Sequence, residues 1–149
     1  MTLYLIDANV LQEMHAGGHA KVRAWQASVD DNLLRLSVVT FHEARLGLER
    51  ERLRRESASK DASDVLAKLA GLELMAVEFV DRIIDIDRRV AEEWAVMLAT
   101  AGKHDRDTAL AATARVHDLV LVTRNVKHMI GRDVQVLDPF VNKPVIKRV

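Results

Sequence analysis

The stretch Leu3-Tyr4-Leu5-Ile6-Asp7-Ala8-Asn9 constrains this chain more than any other. Consecutive apolar residues from Leu3 to Ile6 fit a strand buried on both faces, as in the centre of a parallel sheet, and the run stops abruptly on a carboxylate. In an open α/β sheet, ligands bind in the crevice outside the carboxyl ends of the strands, so an acid held there is a candidate for chemistry. Asp and Asn are also favoured helix N-caps, and Asp7 taken by itself carries that second reading.

The remaining sequence repeats the strand-then-helix pattern. Val22, Trp25 and Val29, at helical spacing, predict a helix over 20–29, and Trp25 belongs to the core. Leu33 to Val39 is β-rich and reads as a second strand. Thr40-Phe41-His42-Glu43 then opens a helix to about Arg55 with the Thr-x-x-Glu spacing of a capping box, an ordinary task for Glu43. Val65, Leu66, Leu69 and Leu72 form the stripe of another helix over 61–74, so residues 41–75 fold as a helical hairpin arm. A short strand at Ile83-Ile84 leads to Asp87, the cap of a helix from Arg88 to Ala101, which Gly102 ends in a left-handed turn. An Ala-rich helix from Asp107 to Val116 precedes a strand at Leu119 to Val122, left by Thr123-Arg124-Asn125. A last strand spans Val134 to Leu137. Such alternation implies an α/β fold: a three-layer sandwich with a mostly parallel central sheet of about four or five strands flanked by helices, all 149 residues forming a single domain.

In that topology every strand points its carboxyl end to one edge, and each crossover helix starts near it. Asp7, Glu43, Asp107 and Asn125 therefore converge if the first, second and fourth strands are neighbours. Carboxylates sharing a crevice repel one another unless a cation intervenes. The chain has no Cys, and an oxygen-only donor set favours a hard ion, Mg²⁺ or Mn²⁺, over Zn²⁺. Asp105 competes with Asp107 for the same role. Lys103, Arg106, Arg124 and Lys127 fall near the same edge, where cations attract phosphates.

Composition excludes other classes. Without Cys there are no disulfides, thiolate metal sites or thiol nucleophiles, and a reducing cytoplasm suits the chain. Lys plus Arg and Asp plus Glu both total 22, so no global positive field marks a nucleic-acid binder and any basic surface is local. The apolar run before Asp7 is far too short for a signal segment or membrane span.

These segments resemble the PIN-domain ribonucleases, in particular the VapC-type toxins of bacterial toxin–antitoxin pairs. Leu5-Ile6-Asp7-Ala8-Asn9-Val10-Leu11 is similar to the family's opening motif, with Ala8 where Thr is usual. Ser37-Val38-Val39-Thr40 followed by Glu43-Ala44-Arg45-Leu46-Gly47 is similar to the second, Asp107 to Ala114 to the third, and Leu121-Val122-Thr123-Arg124-Asn125 to the fourth. The resemblance implies a Mg²⁺-dependent endoribonuclease in which Asp7, Glu43 and Asp107 hold the metal and act in catalysis with Asn125. Asn9, Arg124 and Lys103 are the candidate substrate contacts. It also implies an RNA substrate, an antitoxin lying against the arm, and a homodimer. The family often carries an acid three residues after the Asn and then Phe; this chain has His128 and Met129, and His128 is not assigned as a ligand. Two other functions fit the same residues: a metal-dependent phosphatase or nuclease with another substrate, and a catalytically weakened binding module.

Overall fold

In the computed structural model, which describes residues 1–149, the opening run forms β1 (Tyr4–Ile6). β1 pairs in parallel with β2 (Leu34–Ser37) on one side and β4 (Val120–Val122) on the other. Beyond β2 lies β3 (Ile83–Ile84), also parallel, and beyond β4 lies β5 (Gln135–Leu137), parallel too. A sixth strand, β6 (Lys147–Arg148), pairs antiparallel with β5 and completes the order β3-β2-β1-β4-β5-β6. β6 lies outside the sequence expectation because two exposed basic residues carry no apolar signal.

Side chains on successive strand residues point to opposite faces, and each face has its own core. Leu5, Leu121 and Val136 pack with Val90 and Met97 of α5 (Arg88–Thr100), Leu110 of α6 (Asp105–Val116) and Met129 of α7 (Val126–Met129). Ile6, Leu36, Val120 and Val122 pack with Val10 of α1 (Ala8–Leu11) and with Val22 and Trp25 of α2 (Ala20–Ala27). The Ala109–Ala114 segment of α6 is wholly buried, and its small residues let that helix lie close to the sheet. This is the three-layer α/β sandwich expected from the alternation of elements.

The hairpin consists of α3 (Val38–Ser57) and α4 (Ser63–Glu78), joined across by Arg45 Nη1 to Glu73 Oε1 at 2.5 Å and by Arg55 to Asp64. Two local expectations are corrected. α3 starts at Val38, not Thr40: Ser37 is the cap, its hydroxyl accepting from the Val39 N–H at 3.0 Å. Glu43 consequently lies beyond the first turn and is free of the capping box. After α5, the left-handed residue is His104 (φ 58°) rather than Gly102. No helix is long and apolar enough to cross a membrane.

Candidate active site

Strand order reverses at β1: the chain adds β2 and β3 on one side, then crosses to place β4 on the other. The crevice at such a switch point is where doubly wound sheets bind ligands. Asp7 and Thr123 are the first residues beyond β1 and β4, and the register Ile6 to Val122 sets them side by side. Their backbones are still fixed by the sheet: Asp7 N–H donates to Val122 O at 3.0 Å, and Thr123 N–H to Leu137 O at 3.0 Å.

Asp7 is buried to 2% exposure, and three donors surround its carboxylate. Thr123 Oγ1 donates to Oδ2 at 2.6 Å, Asn9 Nδ2 to the same oxygen at 3.1 Å, and the Ala8 N–H to Oδ1 at 2.7 Å. Burial nevertheless raises the Asp7 pKa from 3.8 to about 6, opposed by the Thr123 and Ala8 hydrogen bonds and reinforced by the charges of Asp107 and Glu43. The N-cap and site readings of Asp7 thus coexist: Oδ1 caps α1 while Oδ2 faces the crevice network.

Asp107 lies in the first turn of α6, with its carboxylate Oδ2 only 2.5 Å from His128 Nδ1. Asp105, its competitor, turns away and accepts from Trp94 Nε1 of α5 at 3.1 Å. Glu43 reaches across from α3 and pairs with Arg106 Nη1 at 3.5 Å. Asp107 and Glu43 both act on Asp7 electrostatically. The tightest trio of metal-ligating side chains at this edge, however, is His104, Asp107 and His128, whose ligand atoms lie within 4.8 Å of one another.

Asn125 precedes α7, and its backbone N–H donates to Thr123 Oγ1 at 3.0 Å while its side-chain amide makes no cap bond. Asn9, expected as a substrate contact, is occupied at both ends: it donates to Asp7 and accepts from the Arg124 N–H at 3.2 Å. Arg124 is exposed and lies 3.7 Å over the Phe140 ring. Lys103 is exposed and Arg106 is taken up by Glu43. An open groove lined by Tyr4, Trp25, Val141 and Ile146 contains none of these residues.

Sequence reasoning missed Thr123, His104 and Arg132. Thr123 was detectable, because two strands that pair in register and both end on polar residues must bring those residues together. Arg132 is buried and donates to Met97 O at 2.6 Å, Ala101 O at 2.8 Å and Thr108 Oγ1 at 3.1 Å. It secures the turn that carries His104 into α6, a role with no local sequence signature.

The family model of the PIN domain matches residues 4–128, a span containing all four residues from Asp7 to Asn125 and reaching His128. The chain belongs to the PIN domain family. Toxin FitB of Neisseria gonorrhoeae is 29% identical over 144 residues, covering 93% of this chain and 99% of that protein. The crystal structure of FitAcB from Neisseria gonorrhoeae superposes with a TM-score of 0.77 at 28% identity, over 94% of this chain and all (100%) of that one. VapBC-1 from nontypeable Haemophilus influenzae has the same fold, with a TM-score of 0.63 at 19% identity over 94% of this chain and 100% of that one.

Proposed function

We propose that this PIN domain is the toxin of a toxin–antitoxin pair and works in the cytoplasm as a Mg²⁺-dependent endoribonuclease, Mn²⁺ being the alternative ion. The observation that carries the reading is Asp7: a nearly inaccessible carboxylate whose proton is retained to about pH 6 by burial and by two neighbouring acids. A divalent cation relieves all of these at once, and the oxygen donors of Asp7, Asp107 and Glu43 suit a hard ion. Glu43 must then exchange Arg106 for the metal. When bound, the ion would polarise the phosphodiester and lower the pKa of water.

The chain's own residues have separable tasks. Thr123, Ala8 and Asn9 hold Asp7 in one orientation, so its oxygens need no reorganisation. The unengaged amide of Asn125 is available to a substrate or a water beside them. Arg124, steadied on Phe140, and Lys103 present exposed cations to a phosphate backbone.

Purified protein should cleave RNA with Mg²⁺ or Mn²⁺, stop with chelator, and lose cleavage in Asp7→Asn. Full metal-dependent cleavage by that variant would sink the reading. Equal turnover of RNA, DNA and a phosphate monoester would replace it with a broader phosphodiesterase or phosphatase.

The relative at 29% identity, Toxin FitB, is itself named a toxin. An antitoxin is accordingly proposed to lie against the α3–α4 arm, where Leu53, Leu66, Leu74 and Val77 are exposed. A homodimer is proposed for the free toxin. Co-expression with a neighbouring small reading frame, followed by sedimentation of each species, tests both.

A further inference from the structure

The turn before α6 is built to present an imidazole. His104 sits in the left-handed region (φ 58°, ψ 61°), which costs a non-glycine residue on the order of 1–3 kcal/mol and is held only where the surroundings impose it. Here they do. Thr108 Oγ1 donates to His104 O at 2.9 Å, the Thr108 N–H to the same oxygen at 2.9 Å, and Arg132 spans Ala101 O and Thr108 Oγ1. The backbone is fixed, whereas the exposed imidazole makes no cap bond.

That imidazole stacks on His128 with centroids 3.7 Å apart and planes 6° from parallel, and His128 Nδ1 is 2.5 Å from Asp107 Oδ2. Face-to-face stacking is not the arrangement aromatic rings prefer, and both rings border a carboxylate. We infer that His104, Asp107 and His128 form a site for a borderline divalent transition-metal ion, Zn²⁺ foremost, distinct in donor chemistry from the acids that suit Mg²⁺.

Two imidazole nitrogens and one carboxylate oxygen, with water in the open positions, are a donor set that Zn²⁺ accepts and Mg²⁺ does not. Ligand atoms already within 4.8 Å of one another need little movement. With metal–ligand bonds of about 2.0–2.2 Å, the close His128–Asp107 contact opens by under about 1 Å to admit the ion. Lone pairs lie in the ring planes, so parallel rings do not converge on one point. His104 must therefore rotate out of the stack, and its exposed ring is free to do so. The site stands on this geometry whether or not the nuclease reading holds. If it does hold, Zn²⁺ also draws Asp107 away from Mg²⁺.

The test is direct binding to the untagged, full-length protein without RNA. Co²⁺ is followed by its visible absorption and Zn²⁺ by competition with a chromophoric chelator. The wild type should bind one equivalent of each, at least about tenfold tighter than Mg²⁺. His104→Gln and His128→Gln should each weaken binding about tenfold or more, with unchanged circular dichroism. Asp7→Asn should weaken binding less than either histidine variant, since Asp7 reaches Asp107 only through its charge and lies outside the trio. Wild-type-like binding by either histidine variant overturns the site. So does an equal loss in Asp7→Asn, which would assign the ion to the acidic crevice, and so does Zn²⁺ binding no tighter than Mg²⁺.

Discussion

Thr123 Oγ1 donates to Asp7 Oδ2 at 2.6 Å, joining the exits of two neighbouring parallel strands through a buried bond. The same hydroxyl oxygen accepts from the Asn125 N–H, so one side chain orients the acid and the start of α7 together. Thr123→Val keeps the shape and removes both functions. It should destabilise the protein by about 1–3 kcal/mol, because Asp7 Oδ2 and the Asn125 N–H each lose a hydrogen bond. Loss of the donor to the carboxylate should also raise the Asp7 pKa above 6, read by carbon-13 titration of the carboxyl. An unchanged titration would show that the hydroxyl does not tune the acid.

Asp7 gives the metal-free protein a distinctive pH profile. Its pKa is higher folded than unfolded, so the folded state binds more protons between about pH 4 and 6. The stability linked to protonated Asp7 is fully present below about pH 4 and is lost as pH rises through 6. Above that, the buried charge costs on the order of 2–3 kcal/mol. Asp7→Asn should therefore be more stable than wild type at pH 7.5 in chelator, with the difference closing near pH 4. Denaturant midpoints at the two pH values measure it, and a wild type that gains stability across this interval relative to the variant would contradict the raised pKa.

Arg106 holds Glu43 in a half-exposed pair at 3.5 Å. Such pairs contribute only about 0–1 kcal/mol, so Arg106→Ala should leave thermal stability nearly unchanged. It should lower the Mg²⁺ concentration that half-saturates binding, because Glu43 no longer has a competing cation. Calorimetric Mg²⁺ titration decides this, and a weaker affinity would mean that Arg106 orients Glu43 for the ion instead.

Arg132 is a buried cation surrounded by carbonyls at the end of α5. Arg132→Met removes the charge that offsets the helix end and one charge-assisted hydrogen bond to each of those oxygens, a loss of about 3 kcal/mol. Amide exchange should accelerate most over residues 101–104, which the guanidinium fastens to α6. Uniform acceleration would instead indicate a global effect.

The parallel core and the place of Asp7 at a strand exit beside the exit of β4 were legible because strand runs such as Leu5-Ile6 and Leu121-Val122 are continuous and end on polar residues. Less visible were contacts made by the far ends of long or conformationally unusual residues. Nothing local marks His104 as left-handed or predicts that it stacks on a residue 24 positions later. The start of α3 is ambiguous in the sequence for a simpler reason. Ser37 and Thr40 are both competent caps, and only the end of β2 at Ser37 selects the first. Glu43 thereby exchanges a capping task for one facing Asp7.

The two-residue strands at the margins of the sheet bear on how this protein meets others. β3 exposes almost no length of unpaired backbone, and β6 covers β5 with Lys147 and Arg148, whose solvated charges discourage further strands. An extended peptide finds no long open ladder to join. Association is left to helical surfaces, so helices or loops, rather than added strands, are the shapes a partner must bring.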